Sequence, residues 1–306
     1  MSIIKVDNLN KTYNKNIHAL CDINFEVEEG EVFGLVGPDG AGKSTFFNIL
    51  TTLLLPTSGS AEIMGLDIAR DTLKIRQIIG YLPGTFSLYP DLTVEENLIF
   101  FATMYKSTIK DNMPLIRPIW KQLAPFKARR AGKLSGGMKQ KLALCCALIH
   151  KPKLLFLDEP TTGVDPVSRT EFWDILKSIK HQGITVVVST PYMDEATRCD
   201  RIALIQNGHI IKIDTPQQII ADFKGKLYTI KAANIFGLLK DMKQFPLNCI
   251  YYPYGEYFHI AFYDDESVAL PQFEAFLRER EHQYEALAPI SPTIEDCFIE
   301  LATAQE

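Results

Sequence analysis

The sequence contains, at residues 37–44, the stretch Gly37-Pro38-Asp39-Gly40-Ala41-Gly42-Lys43-Ser44, which fits the pattern G-x-x-x-x-G-K-[ST]. The apolar run Glu31–Val36 before it predicts a strand, and the run Thr45–Leu54 after it has the period of a helix. A chance match somewhere in about 300 residues has a probability of roughly one per cent. In such a loop, backbone N–H groups surround a phosphate, Lys43 supplies a positive charge and Ser44 offers a hydroxyl to Mg²⁺. The stretch therefore predicts binding of a nucleoside triphosphate.

A second motif is an apolar run that ends in two carboxylates, Leu154-Leu155-Phe156-Leu157-Asp158-Glu159-Pro160. Asp158 is expected to hold Mg²⁺ through water, and Glu159 is expected to polarise an attacking water as a general base. The alternative is a buried strand that ends in a solvated acidic turn. A phosphate loop with Lys43 in the same chain favours the first interpretation.

A third motif opens a predicted helix and reads Leu134-Ser135-Gly136-Gly137-Met138-Lys139-Gln140. Ser135 is a suitable N-cap, and the two glycines expose N–H groups at the positive end of the helix dipole. These features predict a second anion site. Because one nucleotide needs only one phosphate loop, we expect this site to serve a nucleotide held by another subunit.

The 306 residues give a prior of two domains at about 150 residues per domain. The first part of the chain alternates short apolar runs with helical ones, which predicts an α/β fold with a largely parallel sheet core. The predicted buried strands are Glu31–Val36, Lys153–Leu157, Gly183–Ser189 and Ile202–Ile205. A strand-like run over Arg201–Ile213 and a short helix over Pro216–Phe223 end this part, and a boundary is expected near residues 214–226.

The tail after Lys226 has a different pattern, which predicts a small α+β C-terminal domain of the βαββα type over residues 226–306. Its predicted elements are a strand at Leu227–Ala232, a helix at Phe236–Phe245, a hairpin across Pro253-Tyr254-Gly255 and a helix at Leu270–Ala286. The tyrosines and phenylalanines of this tail are interpreted as strand packing around the hairpin.

Composition and charge exclude several classes of protein. Hydrophobic residues make up 46% of the chain and the formal charge is −5, which argues against a nucleic-acid-coating protein. Residues 112–157 contain ten Lys or Arg and no acidic residue, but few aromatic residues interrupt them, so no nucleic-acid partner is expected. No apolar run approaches the ~18 residues needed to cross a bilayer, and no secretory signal is found at the start. The six cysteines are interpreted as reduced thiols, with a zinc site or a disulfide as the alternative.

The three motifs, in this order, resemble those of the ATP-binding cassette (ABC) ATPases, and the resemblance covers residues 1–220. It implies a P-loop NTPase fold with a helical subdomain at about residues 85–150, and the cofactors ATP and Mg²⁺. Tyr13 is similar to the aromatic residue that stacks on adenine, with an ordinary core tyrosine as the alternative. The implied nucleotide-contacting residues are Tyr13, Gly37, Pro38, Asp39, Gly40, Ala41, Gly42, Lys43, Ser44, Thr45, Ser135, Gly136, Gly137 and Asp165, with Ser44 and Asp158 as metal ligands and Glu159 as the catalytic base.

The resemblance also implies partners. The loop Gly163-Val164-Asp165-Pro166 is similar to the one through which two cassettes touch, and Leu88–Asn97 is similar to a segment that meets membrane-subunit helices. The segments 190–200 and 291–299 resemble ATPase subunits of bacterial multidrug-type exporters. A second ABC cassette and integral membrane transport subunits are therefore expected, at a cytoplasmic location peripheral to the inner face of the cell membrane. The alternative is a non-transport ATP switch that acts on nucleic acid or the ribosome.

Two positions depart from the family pattern. The family has Gln where this chain has Gly84, and His where it has Pro191. Glycine has no side chain and proline offers neither a polar group nor an N–H, so neither can contact the nucleotide as the family residue does. These departures predict a site that binds ATP and turns it over poorly, unless Gln77 or Tyr192 substitutes.

Overall fold

The computed structural model describes residues 2–14 and 16–304 of the chain. The chain divides into two compact units, Met1–Pro216 and Gln217–Glu306. The strands are β1 (Ser2–Tyr13), β2 (Ile17–Glu28), β3 (Val32–Val36), β4 (Ser58–Ile63), β5 (Leu66–Asp67), β6 (Ile79–Leu82), β7 (Leu154–Asp158), β8 (Thr185–Thr190), β9 (Arg201–Gln206), β10 (His209–Asp214), β11 (Lys226–Ala232), β12 (Cys249–Tyr254), β13 (Tyr257–Phe262) and β14 (Tyr284–Pro289).

The α-helices lie between these strands and close the chain. They are α1 (Lys43–Leu50), α2 (Thr72–Ile78), α3 (Val94–Met104), α4 (Ile109–Leu123), α5 (Gly136–Leu148), α6 (Pro166–His181), α7 (Pro216–Ala221), α8 (Ile235–Met242), α9 (Glu266–Glu279) and α10 (Ile294–Thr303). Within the described ranges, no helix combines the length and the apolar character that a bilayer span requires.

The first unit contains two sheets. A six-stranded sheet has the order β10-β9-β3-β8-β7-β6, in which every neighbouring pair is parallel except β9 and β10. A four-stranded antiparallel sheet has the order β2-β1-β4-β5. Buried aromatic rings from both sheets and α1 form one core, with Phe25 stacked on Phe33 and Phe47 edge-on to Phe156. The predicted α/β fold with a largely parallel sheet is confirmed.

The predicted strand-like run Arg201–Ile213 is two strands, β9 and β10. Asn207 and Gly208 between them have φ values of 49° and 79°. Positive φ at two central residues is the requirement of the tight turn that joins antiparallel strands, and Asn-Gly favours it. The run therefore turns back on itself, where the sequence analysis predicted one continuous strand.

Three helices, α3, α4 and α5, fall in the predicted helical subdomain. A capping box between Thr93 and Glu96 starts α3. The fully buried side chain of Asn97 bonds the backbone of Tyr89, Leu92 and Thr93, and so fastens the preceding loop to the helix.

The second unit is a four-stranded antiparallel sheet with the order β12-β13-β11-β14. Alternate residues of β11 and β13 pack against α8 and α9, which therefore lie on one face. The prediction of a continuous helix over Leu270–Ala286 is wrong, because α9 ends at Glu279 and β14 follows it as an additional strand. The arrangement is βαββαβ followed by α10, where βαββα was predicted.

Candidate nucleotide-binding site

The phosphate loop and the carboxylate pair of the predicted site follow parallel strands of the six-stranded sheet. Strands β3, β6, β7 and β8 all run in the same direction, so their carboxyl ends meet at one edge. The residues that follow these strands at that edge are Gly37 after β3, Gly84 after β6, Glu159 after β7 and Pro191 after β8. One sheet edge therefore carries the phosphate loop, the carboxylate pair and both departures from the family pattern.

Glycine is required at different positions of the phosphate loop for different physical reasons. A Cβ atom at Gly37 would lie 2.1 Å from the carbonyl oxygen of Ile205, and one at Gly42 would lie 2.4 Å from that of Ala19. Gly40 has a φ of 79°, and nothing lies within 4 Å of a Cβ built there. Two glycines thus permit close backbone approach, while the third has a positive φ that glycine adopts without strain.

The hairpin of β9 and β10 is hydrogen-bonded to the phosphate loop. The N–H of Gly208 donates to the carbonyl oxygen of Ala41 at 3.0 Å, and the carbonyl oxygen of Gly208 accepts from the N–H of Cys21 at 2.8 Å. The sequence analysis missed this contact. The Asn207-Gly208 pair was the available signal, since it marks a tight turn.

Lys43 is buried at the start of α1, with 3% of its surface exposed. Its Nζ donates to the carbonyl oxygens of Gly37 and Pro38, each at 2.9 Å, and lies 3.1 Å from Oε1 of Glu159. The predicted phosphate ligand and the predicted general base are thus in direct contact. The amine is held by its own loop and by the carboxylate that follows β7.

Asp158 and Glu159 are joined by Ser189, which the sequence analysis did not single out. Ser189 Oγ donates to Oδ1 of Asp158 at 2.5 Å and accepts the N–H of Glu159 at 3.0 Å. Burial raises the pKa of the Asp158 carboxyl, and hydrogen bonds from Ser189 and Ser44 oppose that rise. Ser44 is close enough to act on this carboxyl, so the two predicted metal ligands are neighbours.

Position 84 faces the carboxylate pair. A Cβ atom at Gly84 would lie 3.2 Å from the carbonyl oxygen of Asp158 and 3.8 Å from its Oδ2. Pro191 follows Thr190, whose carbonyl oxygen accepts the N–H of Gly37 at 3.2 Å. Both departures therefore border the predicted site.

The two proposed substitutes occupy different places. Gln77 is exposed on α2, before the amino end of β6, whereas Gly84 follows the carboxyl end of that strand. Tyr192 packs with its ring centre 4.5 Å from the guanidinium carbon of Arg169. Gln77 therefore does not replace the missing glutamine.

Tyr13 lies beside the start of α1. Its hydroxyl is 3.4 Å from Oγ1 of Thr45, and 36% of the residue is exposed. This exposure does not fit a core tyrosine. The ring is accessible next to the phosphate loop, where the sequence analysis expected it to stack on a base.

The remaining predicted residues form a second cluster. Ser135 caps α5 by accepting the N–H of Met138, and a Cβ at Gly137 would lie 3.0 Å from the side chain of Ser168. Asp165 caps α6 by accepting the N–H of Ser168 at 3.0 Å. In the described part of the chain, no hydrogen bond joins this cluster to residues 37–45.

Comparisons with known proteins identify relatives of this chain. A sequence model of the family described as ABC transporter matches residues 20–162. The chain is similar to the probable multidrug ABC transporter ATP-binding protein YbhF of Escherichia coli K12, with 43% identity over 222 residues, which is 72% of this chain and 38% of YbhF. It is also similar to the linearmycin resistance ATP-binding protein LnrL of Bacillus subtilis 168, with 36% identity over 73% of this chain and 72% of LnrL.

A solved structure extends the likeness to the fold. The ATP-binding cassette MJ0796, solved as a dimer in a post-hydrolysis state with ADP and Pi, superposes with a TM-score of 0.63 at 29% identity. That comparison covers 69% of this chain and 98% of MJ0796. On its motifs, its fold and these relatives, the chain belongs to the family of ABC transporter ATP-binding proteins.

Proposed function

We propose that this chain is the ATP-binding subunit of an exporter-type ABC transporter and that it binds MgATP at the carboxyl edge of the six-stranded sheet. The convergence of Lys43, Ser44, Asp158 and Glu159 at this edge carries the proposal. The names of the relatives, one a multidrug and one a linearmycin resistance protein, support an exporter.

Each residue of the site has a part in this proposal. Tyr13 stacks on adenine, and the backbone N–H groups of residues 37–45 surround the phosphates together with Lys43. Ser44 and Asp158 hold Mg²⁺, which neutralises charge on the β and γ oxygens when bound. Glu159 accepts a proton from the attacking water.

The cleavage machinery of this site is incomplete. Each missing transition-state donor, at positions 84 and 191, costs about 3–4 kcal/mol, or 10²–10³ in rate, and two such losses need not add. The segment Ser135–Gly137 is present in full. We therefore propose an asymmetric pair, in which this chain clamps one nucleotide and completes a competent site on a different cassette.

A cavity of about 450 Å³ in the first unit is the proposed docking site for a membrane subunit. Leu53, Tyr81, Phe101 and Tyr105 line it, and Arg76 is the only charged residue among the described residues of its lining. Exposed aromatic residues follow in the helical subdomain, where Tyr89 packs edge-on to Phe100. In this position the chain is a cytoplasmic subunit, peripheral to the inner face of the membrane.

The experiment measures ATP retention and ATP turnover of the purified chain, alone and then with its companion cassette. We expect retention that depends on magnesium, slow turnover alone and faster turnover in the pair. The double variant Gly84→Gln, Pro191→His should raise turnover of the chain alone, with Gln77→Ala as a control that leaves it unchanged. Rapid hydrolysis by the isolated wild-type chain would reject the proposal.

A second variant separates the two sites of the pair. Ser135→Arg places a long cation at the start of α5 and should abolish turnover at the companion's site. ATP retention by the chain's own phosphate loop should stay as in the wild type. Polytopic membrane proteins that co-purify would support the transporter, and RNA or DNA bound in a salt-sensitive manner would reject it in favour of a non-transport switch.

A further inference from the structure

We propose that Ser189 is the positioning residue of the carboxylate pair, whose hydroxyl fixes the orientation of Asp158 and the backbone of Glu159 for MgATP. This inference rests on the proposed nucleotide site. It adds a residue, contributed by β8, whose hydroxyl acts through the side chain of Asp158 and the backbone of Glu159.

The register of the six-stranded sheet brings Ser189 and Asp158 into contact. Strands β7 and β8 are parallel neighbours, and their register places Asp158 opposite Ser189. Side chains opposite each other in adjacent strands point to the same face, so the serine hydroxyl meets the aspartate carboxylate. Ser189 has no exposed surface and Asp158 has 4%, so water does not compete for this bond.

The hydroxyl of Ser189 bonds only one of the two carboxylate oxygens of Asp158. Oδ1 accepts the hydrogen of Ser189, whereas Oδ2 is the carboxylate oxygen that faces position 84. Among the described residues, Ser189 is the side chain that donates a hydrogen bond to Asp158, and Ser44 lies nearby. A carboxylate with one oxygen tied to the protein presents the other in a fixed direction, as metal ligands require of their supporting residues.

The same hydroxyl acts on Glu159. That residue has a φ of 48°, in the left-handed region that a side chain disfavours. Its N–H donates to both the carbonyl oxygen and Oγ of Ser189, at 3.1 and 3.0 Å. This backbone conformation accompanies the contact of Oε1 with Lys43 at 3.1 Å.

The test compares variants of the full-length chain by their need for magnesium. Ser189→Ala removes the hydroxyl, Ser189→Cys keeps the shape with a weak donor, and Ser189→Thr restores the hydroxyl. Thr185→Val is the matched control, because it removes a buried hydroxyl bond, to the N–H of Gly30, at the other end of the same strand. Binding of a fluorescent ATP analogue is titrated in EDTA and against Mg²⁺, and Mn²⁺ in place of Mg²⁺ is counted by electron paramagnetic resonance.

We expect Ser189→Ala and Ser189→Cys to weaken metal-dependent binding about tenfold, as loss of a supporting residue does at metal sites. Binding in EDTA should stay within twofold of the wild type, and Ser189→Thr should recover the metal dependence. Thr185→Val should lower thermal stability without changing that dependence.

Three outcomes have distinct meanings. An unchanged magnesium dependence in Ser189→Cys would overturn the inference, even if Ser189→Ala failed to fold. An equal loss in Thr185→Val would assign the effect to general packing and would also overturn it. A wild-type chain that binds no nucleotide would reject the proposed function itself.

Discussion

Two buried aspartates, one in each unit of the chain, behave in opposite ways. Asp158 in the first unit and Asp296 in the second have 4% and 1% of their surface exposed. Burial raises the pKa of Asp158. Burial also acts to raise the pKa of Asp296, but hydrogen bonds from His259, Thr293 and Tyr252 outweigh it and lower that pKa to about 2.

The difference lies in the number of donors. Asp296 accepts the Tyr252 hydroxyl at 2.5 Å, contacts Nδ1 of His259 at 2.8 Å, and accepts the N–H and the hydroxyl of Thr293 at 2.6 Å each. Asp158 accepts the hydroxyl of Ser189 and has the Glu159 carboxylate as its neighbour. A saturated carboxylate fastens α10 to β12 and β13, whereas an unsaturated one keeps acceptor capacity for a ligand.

The largest expected effect is at the saturated site. Asp296→Asn removes the charge that four donors share, and should lower the stability of the second unit by about 2–4 kcal/mol. Hydrogen exchange read by mass spectrometry measures the protection of β12, β13 and α10. Glu295→Gln, an exposed neighbour on the same helix, is the control and should change little. Equal protection in Asp296→Asn and the wild type would break the comparison.

The second expected effect is that the stabilisation contributed by Asp296 depends on pH. The pKa of Asp296 is lower in the folded state than its ordinary 3.8, so its stabilisation is complete above about pH 5 and is lost as pH falls through about 2. The loss amounts to about 2 kcal/mol. Urea titrations of the wild type and Asp296→Asn should differ most at pH 5, and the difference should fall to roughly half by pH 3. A constant difference over that range would contradict this assignment.

The smallest effect has the opposite sign. Because burial raises the pKa of Asp158, its charge destabilises the nucleotide-free fold, and Asp158→Asn should slightly stabilise the first unit. Both tryptophans, Trp120 and Trp173, lie in this unit, so their fluorescence during urea unfolding reports on it. Asp174→Asn, at an exposed carboxylate on α6, should leave stability unchanged. If Asp158→Asn lowered the stability of the first unit, the charges of Asp158 and Asp296 would both stabilise the fold, and the contrast between them would fail.

Local patterns predicted the phosphate loop and the parallel sheet of the first unit. The phosphate loop, the strand before Asp158 and the cap at Ser135 each depend on residues close together in the sequence, and the α/β fold followed from them. The contact between Lys43 and Glu159 was also within reach, because parallel strands share their carboxyl edge. The contact of Ser189 with Asp158 was not predicted, because it depends on the register between β7 and β8.

The second unit depends on distant pairings. The strand β14 pairs with β11, more than fifty residues earlier, and the short helical pattern before it concealed the strand. Glu281, with a φ of 56°, marks the break after α9, and no glycine or proline announced it. Tyr252 was interpreted within strand packing and His259 was not singled out, although the carboxylate that both contact lies at residue 296.

The bond from Gly208 to Ala41 has a consequence for synthesis of the chain. During translation, residues 37–44 leave the ribosome more than 160 residues before Gly208 does. At about 5–20 residues per second, this interval lasts on the order of ten seconds or more. A nascent chain therefore carries an unsupported loop until the hairpin emerges, and the ability to grip nucleotide should arise late, once the last strands of the cassette have been made.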